Sequence, residues 1–430
     1  MGEHLLTCSN EKWSSATYAS TKLRKNHYFQ FKSFQRHDDY IRVTPTEYVR
    51  DFMDKVSWDS RLVCIRGPKG VGKSTLLRQR IKLNYAAGDR HVLYCSADSG
   101  YFSNHSLLDT AGDFVKLGGT HLFIDEIHKY EKWSIEIKEI YDLYPQLHVV
   151  LSGSSLLALK SGLADLSRRM LQYDMPGLSF REYLRFDKRL DFQAVSLDNL
   201  LNNPAELCFE VRERCSPLEY FSAYIQKGYY PFYFEDYFAY APRVENVVNY
   251  TIDNELTSQC GVDVANTRKI KALMQVISGM IPFEVDTAKI SRNLGLQRLT
   301  LLQYMKHLED AKLIRRLFAN LLTTRDLQKP DKILLDNPNL LYVLCPTIPA
   351  TGTVRETFFC NQLASSGHVI EYGGMKNADF KIDGNYVIEV GGRDKGYSQL
   401  DNTENGYVAA DGIDSPVFRK IPLWAFGFLY

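Results

Sequence analysis

GPKGVGKST, residues 67–75, is the stretch of this sequence that decides its fold. Every fixed position of the pattern G-x-x-x-x-G-K-[ST] is present, after an apolar run at 62–66 and before a helical run at 75–86. Glycines let successive backbone N–H groups surround a phosphate, and the N-terminus of the following helix adds its dipole. The stretch therefore predicts a nucleotide-binding loop; a glycine-rich turn without a ligand is the alternative.

Each residue of this loop has a predicted role. Lys73 is expected to reach the β- and γ-phosphate oxygens of ATP, and Ser74 to ligate Mg²⁺. The predicted nucleotide contacts are Gly67, Pro68, Lys69, Gly70, Val71, Gly72, Lys73, Ser74 and Thr75. ATP and Mg²⁺ are thus the expected cofactors.

A second stretch, HLFIDEIHKYEKW at 121–133, is an apolar strand that ends in two acids. Asp125 is predicted to hold Mg²⁺ through water, and Glu126 to polarise the attacking water as catalytic base. Unpaired charge at the end of a buried strand is costly, so this pair needs a cation or a polar cleft. A strand that simply emerges into an acidic loop is the alternative.

A third stretch, LHVVLSGSS at 147–155, runs from a strand into small hydroxyl residues. If this strand lies beside the first, then Ser152, Ser154 or Ser155 would contact the γ-phosphate or the attacking water. Any of the three would equally cap the following helix.

Short apolar runs alternate with helical ones between residues 62 and 180, which predicts a parallel α/β sheet with crossover helices. The predicted strands are Leu62–Arg66, His91–Ser96, His121–Asp125, Leu147–Gly153 and Arg169–Met175. An amphipathic helix is predicted over 44–60, and a helical, aromatic region over 181–265.

Composition sets the broad class of the protein. The chain has 430 residues, of which 45% are hydrophobic and 24% charged, as is typical of a soluble protein with several domains. A net charge of +1 excludes a whole-molecule attraction to nucleic acid or membrane. Eight scattered cysteines and the absence of a long apolar run predict a cytoplasmic protein without a membrane partner.

Residues 269–318 predict three short helices and the first strand of a hairpin, with NLGLQ as a tight turn, as in a winged helix. Between Thr287 and Arg316 there are seven basic and two acidic residues, which leaves a local charge of +5. The exposed face of the second helix is predicted to carry Gln297, Arg298, Thr300, Gln303, Lys306 and His307. Duplex DNA is the predicted partner, and a protein-interaction module with solvated charges is the alternative.

Three acids near the C-terminus form a second candidate metal site. Glu356 lies in a helical run, Asp379 on a predicted strand and Glu389 on the next one. Paired strands that present Asp379 and Glu389 on one side would hold a divalent ion, with Glu356 completing the site. Three surface acids with no shared site are the alternative.

The chain resembles the prokaryotic AAA-type ATPases that carry a C-terminal domain of uncharacterised role. The resemblance covers residues 45–430 and rests on SGSS, LSFREYL and IPLWAF beside the two nucleotide-binding stretches. It implies a P-loop core of the additional-strand type. It also makes Arg169 a candidate for stabilising γ-phosphate charge, in cis or from a neighbouring subunit, although Arg169 would equally pair with an acid in the sheet.

The same resemblance implies a C-terminal core of the restriction-endonuclease-like, PD-(D/E)xK type. The lysine expected two residues after Glu389 is replaced by Gly391, and Arg393 and Lys395 are the basic residues near it. The interpretation is a nuclease fold retained for binding, with its activity lost.

The predicted fold class is α/β: a P-loop NTPase core with a parallel sheet, a helical and winged-helix region, and a C-terminal α/β PD-(D/E)xK-like domain. The predicted domains are an N-terminal extension (1–40), the ATPase core (41–180), a helical lid or linker (181–265), a winged helix (266–337) and the nuclease-like domain (338–430). ATP hydrolysis that drives or gates the later modules is the leading hypothesis. A nucleotide-switched interaction protein and an ATP-gated nuclease are the alternatives, with self-assembly or a protein partner left open.

Overall fold

The computed structural model describes residues 33–156, 166–236, 238–279, 285–321, 327–374, 378–398, 400 and 403–430. Contacts within the chain divide it into two units. The first unit comprises the described part of Met1–Glu47 with Trp58–Val63 and Ser74–Leu151, and the second comprises Tyr48–Ser57, Cys64–Lys73 and Ser152–Tyr430. Residues 1–32 of the predicted N-terminal extension lie outside the described residues, and the predicted boundary at 40 falls inside a helix over 33–43.

A five-stranded sheet carries the predicted nucleotide-binding loop, residues 67–75, which is called the phosphate loop below. Its strands are β1 (Leu62–Gly67), β2 (Val92–Ser96), β3 (His121–Asp125), β4 (His148–Ser154) and β5 (Leu171–Asp174), in the order β2-β3-β4-β1-β5. β3 pairs in parallel with both β2 and β4. All five predicted strands are confirmed to within two residues at each end, and β4 lies beside β1 as expected. Continuous apolar runs bury both faces of the central strands, whereas the edge strand β5 is largely exposed.

The predicted helix over 44–60 is wrong, because only Phe52–Lys55 is helical there. The preceding helix over 33–43 ends just before Thr44 and Pro45, since a residue before proline avoids the helical region. The side chain of Arg50 is then buried in hydrogen bonds to distant carbonyls, which outweigh the local amphipathic pattern. The other helices of this part are Lys73–Asn84, Leu107–Lys116 and Trp133–Leu143, with short 3₁₀ turns at Gly100–Ser103 and Ile127–Lys129.

The region over 181–265 is helical and aromatic, as predicted. Its first helix, Phe180–Lys188, begins with a capping box between Ser179 and Glu182. The remaining helices are Leu197–Asn202, Pro204–Arg214, Pro217–Lys227, Tyr240–Tyr250 and Leu256–Cys260, with a 3₁₀ turn at Pro231–Phe234 and a π-helical turn at Thr251–Glu255.

Helices Val264–Gly279, Thr287–Leu294 and Arg298–Asp310 precede an antiparallel pair, β6 (Ile314–Leu317) and β7 (Lys332–Leu335). Helices Pro338–Leu344 and Thr351–Ser365 then lead into a second, mixed sheet. Its strands are β8 (Ile370–Tyr372), β9 (Phe380–Ile382), β10 (Tyr386–Gly391), β11 (Gly406–Ala410) and β12 (Lys420–Pro422), in the order β12-β11-β10-β9-β8, followed by a 3₁₀ helix at Leu423–Phe428. The pairs β10–β11 and β11–β12 are parallel, and β9 is antiparallel to both of its neighbours.

One buried amide ties the helical region of the second unit to the segment after β7. Asn339 is completely buried and accepts hydrogen bonds from Tyr229 N (2.8 Å) and the Tyr240 hydroxyl. Its Nδ2 donates to the carbonyls of Tyr224 (3.1 Å) and Ile225 (2.8 Å). All of the polar groups of this side chain are therefore satisfied inside the core, which is the condition for burying an amide without a net cost.

Two predictions for the whole chain, on its cysteines and on membrane-spanning segments, can be compared with the described residues. Every cysteine from Cys64 to Cys360 is a free thiol. None of the described helices is both long enough and apolar enough to cross a membrane.

Candidate functional site

The phosphate loop leaves β1 and enters the helix Lys73–Asn84 through positions that only glycine tolerates. Gly70 has φ +87°, in the left-handed region. A Cβ atom on Gly67 would lie 2.3 Å from the carbonyl oxygen of Met175, so the loop begins in close contact with the segment after β5. The local fold of the loop is therefore the one that the sequence pattern predicts.

Lys73 folds back into the loop. Its Nζ donates hydrogen bonds to the carbonyls of Gly67 and Pro68, both at 2.9 Å, and the residue is 6% exposed. The ammonium thus lies among the backbone groups that are predicted to bind phosphate. These bonds keep a buried charge solvated by backbone dipoles.

An aromatic segment, Tyr229–Phe232, packs against the outside of the loop. A Cβ on Gly70 would lie 2.8 Å from the Phe232 ring, and one on Gly72 would lie 3.8 Å from Pro231. The Tyr230 and Phe232 rings stack at 5.3 Å. The sequence pattern gives this segment no role, because nothing local to it indicates a contact with a loop 160 residues earlier in the chain.

Arg50 contacts both the phosphate loop and Glu182, a member of the capping box of the helix Phe180–Lys188. Its guanidinium donates to the carbonyls of Val71 (3.3 Å), Pro176 (2.6 Å) and Gly177 (2.7 Å) and pairs with Glu182 at 2.6 Å. Sequence reasoning missed this residue as well, because an arginine in an amphipathic pattern is ordinarily exposed.

Asp125, at the end of β3, is 4% exposed. It accepts hydrogen bonds from the Tyr94 hydroxyl (2.7 Å) and from the backbone N–H of Glu126 (3.1 Å). Burial, and then the charge of Asp125, raise the pKa of Tyr94 far above its usual value, so the phenol stays a donor. Tyr94 lies on the neighbouring strand β2, and sequence reasoning did not identify it.

Glu126 has a left-handed backbone, with φ 53° and ψ 38°. Such a conformation is unfavourable for a residue with a side chain, and strain of this kind is often retained at functional sites. Glu126 Oε2 lies 3.5 Å from Nε2 of His128, whose side chain is buried. His128 follows Glu126 by two residues, and sequence reasoning gave it no role.

The three serines after β4 have different surroundings. Ser152 is completely buried, and the Ser155 hydroxyl is buried as well. Ser154 Oγ donates to Glu255 Oε2 at 2.5 Å and accepts from Leu156 N at 3.3 Å. The bond to Leu156 is a local turn contact of the kind that the capping alternative predicts, whereas the bond to Glu255 was not foreseen. Residues 157–165, which follow, lie outside the described part of the chain.

Arg169 lies in a turn just before β5 and is half-buried, rather than on the strand where it was predicted. Its backbone N–H donates to the Leu166 carbonyl at 2.8 Å. Its predicted role stays a prediction.

The segment from Thr287 to Arg316, which contains the predicted helix-turn-helix, is less basic at its surface than the sequence suggests. Gly295, with φ +57°, ends the first helix, and Arg298–Asp310 forms the second. Three of the seven basic side chains are held in ion pairs, namely Lys306 with Asp310 (2.7 Å), Arg315 with Asp336 (2.9 Å) and Arg316 with Glu309 (2.8 Å). Gln297, Arg298 and Gln303 are exposed as predicted, while Thr300, Lys306 and His307 are partly buried. Lys289 and Arg292 are also exposed.

The structure brings together the three acids of the C-terminal candidate site. Asp379 Oδ2 accepts from Val390 N at 2.9 Å, and Glu389 Oε2 accepts from Asp379 N at 3.1 Å. Burial raises the pKa of Glu356, and the charges of Asp379 and Glu389 add to the rise, while Lys332 at 2.7 Å opposes it.

Lys395 lies just after β10, the strand that carries Glu389. Lys395 forms an ion pair with Glu389, and its aliphatic chain lies where a side chain on Gly391 would project. Because two of the acids are paired with lysines, the cluster is not an open carboxylate site. In the part of the chain that the structure describes, no group of three or more His, Cys, Asp or Glu side chains is arranged to hold a metal ion.

Comparisons with known proteins bear on the first of these sites. Residues 59–184 match the family model described as AAA domain. This region is thus similar to AAA-type P-loop domains. It contains the phosphate loop, Asp125 at the end of β3, Glu126 directly after it and Arg169, and the match implies nucleotide binding.

Similarity to individual proteins is more distant. The uncharacterized protein MJ1637 of Methanocaldococcus jannaschii is 30% identical over 191 residues, which are 41% of this chain and 39% of that protein. The chain thus matches about two fifths of the length of this relative.

Three solved structures show a weaker likeness. The Saccharomyces cerevisiae Hsp104–ADP complex has a TM-score of 0.26 and 16% identity, over 64% of this chain and 39% of that one. AMPPCP-bound DnaA of Aquifex aeolicus has a TM-score of 0.23 and 15% identity, over 60% and 85%. PCH-2 of Caenorhabditis elegans has a TM-score of 0.25 and 14% identity, over 60% and 63%.

Proposed function

We propose that this protein binds ATP at the phosphate loop and hydrolyses it. The observation that carries the proposal is the buried Lys73 ammonium, bonded to the carbonyls of its own loop at the start of a 12-residue helix. The helix N-terminus and the loop N–H groups favour a bound anion. Lys73 would exchange its two carbonyl partners for β- and γ-phosphate oxygens, so the ammonium is never left unpaired.

Mg²⁺ is the cofactor that such a reaction requires. The hydroxyl of Ser74 and the carboxylate of Asp125 are hard oxygen ligands, and the hydrogen bonds from Tyr94 and Glu126 N fix the carboxylate, so the donor chemistry fits this ion. When bound, Mg²⁺ would neutralise charge on the β- and γ-phosphates.

Glu126 is the proposed catalytic base. Its carboxylate would take a proton from a water molecule whose oxygen attacks the γ-phosphorus, while the bond between that phosphorus and the β–γ bridging oxygen breaks. ADP and inorganic phosphate are the products. His128, at 3.5 Å, would hold the Glu126 carboxylate in place. Arg169 is proposed to stabilise charge on the γ-phosphoryl group, from its own chain or from a neighbouring copy.

The test is a comparison of ATP binding and phosphate release among four proteins. Lys73→Ala is expected to abolish tight binding, whereas Glu126→Gln is expected to keep binding and to lower turnover at least 100-fold, as removal of a general base typically does. Glu131→Gln, an exposed acid five residues further on, is the matched control and should keep the parental rate. Turnover by Glu126→Gln at the parental rate would refute the assignment of the base.

A metal-dependent nuclease is a second candidate function, and one observation favours it. Lys395 reaches Glu389 beside Gly391 and thereby supplies the ammonium that the sequence pattern lacks at that position. Plasmid cleavage with Mg²⁺ or Mn²⁺ tests this candidate, with Asp379→Ala and Lys395→Met as controls. Cleavage that survives both substitutions would rule the cluster out as its source.

DNA binding by the helix-turn-helix segment is proposed on a narrower basis. Its support is the succession of two helices and the β6–β7 pair, with Lys289, Arg292 and Arg298 exposed. Phosphate release with and without duplex DNA tests whether this segment regulates the ATPase. A rate that ignores DNA would favour the nucleotide-switched interaction protein.

A further inference from the structure

Two side chains of the phosphate-binding region, those of Lys69 and Ser154, make contacts at the two ends of one short π-helical turn, Thr251–Glu255. Lys69 Nζ, in the phosphate loop, lies 3.6 Å from the centroid of the Tyr250 ring, directly before this turn. Ser154 Oγ, at the end of β4, donates to Glu255, the last residue of the turn. Single π-helical turns within α-helices are rare, and those that do occur are often found at functional sites.

The first sheet places Ser154 beside the start of the phosphate loop, because β4 and β1 are neighbouring strands. The Val149 N–H at the start of β4 donates to the Arg61 carbonyl just before β1 at 2.8 Å, so the last residues of the two strands, Ser154 and Gly67, lie at the same edge of the sheet, where the phosphate loop begins. Ser154 and Glu255 are 3% and 4% exposed, so their hydrogen bond is shielded from water.

The Ser154 hydroxyl cannot donate to Glu255 and to a second acceptor at the same time. Serine has one O–H proton to donate. Ser154 gives that proton to Glu255 and accepts from Leu156 N, so it cannot at the same time donate to a phosphate oxygen. A γ-phosphate oxygen and the Glu255 carboxylate are both anionic acceptors, and they would compete for the same proton.

We propose that Glu255 competes with the γ-phosphate for the Ser154 proton and so determines how strongly the site distinguishes a nucleoside triphosphate from a diphosphate. In the triphosphate state Ser154 turns to the γ-phosphate and releases the end of the π-helical turn. In the diphosphate state the Ser154–Glu255 bond is intact. This inference rests on the proposed nucleotide-binding function and adds a specificity-determining residue to it.

The experiment measures the dissociation constants of AMPPNP and ADP, each with Mg²⁺, for the full chain and its variants. Glu255→Met keeps the length of the side chain but removes the competing acceptor, so AMPPNP should bind about tenfold more tightly, equivalent to the loss of a charge-assisted bond of about 1.4 kcal/mol. ADP binding should be unchanged. Asp253→Asn, in the same turn but paired outward with Lys271 at 2.6 Å, is the control and should change neither constant.

Three further variants make the outcome decisive. Ser154→Ala should weaken AMPPNP binding, and in its background Glu255→Met should have no effect. Glu255→Gln keeps an uncharged acceptor, so it should give a smaller shift in the same direction, and it replaces the Met variant if that variant does not fold. An unchanged ratio of the two constants, an equal shift in both, or the full shift in the Ser154→Ala background would each overturn the inference. Failure of the unsubstituted chain to bind either nucleotide would instead refute the proposed function.

Discussion

At the scale of single residues, a buried arginine keeps the phosphate loop in shape. The Arg50–Glu182 pair has side chains that are 6% and 2% exposed, so it is shielded from water. Burial by itself lowers the pKa of Arg50, but the Glu182 carboxylate outweighs it, and the pKa is raised overall. Removal of one member of such a pair costs about 3–5 kcal/mol because the other charge is left buried. The loop therefore depends on a residue that would not contact the nucleotide.

Gly70→Ala should damage the loop by two separate effects. The backbone at φ +87° disfavours a side chain by roughly 1–2 kcal/mol, and the new Cβ would lie 2.8 Å from Phe232. Gly88→Ala, at φ +78° with nothing within 4 Å, carries the first effect alone. We expect Gly70→Ala to lose more stability in urea denaturation than Gly88→Ala, and to bind ATP at least tenfold more weakly. Equal losses in the two variants would show that Phe232 does not constrain the loop.

At the scale of elements, the sequence predicts the strands well and the contacts between distant segments poorly. Each of the strands β1 to β4 contains a continuous apolar run bounded by a loop, which is a local signal. The bonds of Tyr94 to Asp125 and of Ser154 to Glu255 join residues 31 and 101 positions apart, and no periodicity in the chain encodes them. The helix predicted over 44–60 fails for the same reason, since the burial of Arg50 is decided by partners more than a hundred residues away.

The helix over 33–43 is held to the first sheet by a histidine that must stay neutral. His37 Nδ1 accepts a hydrogen bond from Tyr94 N at 2.9 Å, and burial lowers the pKa of His37 from 6.5 to about 4. The unfolded chain therefore takes up a proton more readily than the folded one. This residue's contribution to stability is complete above pH 6.5 and is lost as the pH falls towards 4.

Urea denaturation at pH 7.5 and pH 4.5 tests this contribution. His37→Gln keeps an acceptor for Tyr94 N but does not titrate in this range. Between the two pH values, the parental chain should lose up to about 3 kcal/mol more than the variant, from 1.36 kcal/mol per pKa unit. The same pH dependence in both proteins would contradict the assignment.

At the scale of the whole molecule, the charge is nearly balanced, with a net charge of +1. The predicted helix-turn-helix segment exposes Lys289, Arg292 and Arg298. If Lys289, Arg292 and Arg298 make its phosphate contacts, the logarithm of the DNA affinity should fall with the logarithm of salt concentration with a slope of about −3. Replacing all three with Gln should abolish binding, while Arg268→Gln, exposed on the preceding helix, should not. A slope near −6 would mean that DNA contacts another surface.

The completely buried Asn339 has a consequence for how this protein could be recombined with its relatives. Its four hydrogen-bond partners all lie between Tyr224 and Tyr240. The segment after β7 and the aromatic segment beside the phosphate loop must therefore be exchanged together when a chimaera is made. A chimaera joined at residue 337 would graft a foreign side chain into the space that Asn339 fills and leave the backbone groups of Tyr224, Ile225 and Tyr229 unmatched. A graft that carried residues 224–240 along with the segment from residue 337 onwards would preserve both sides of that contact.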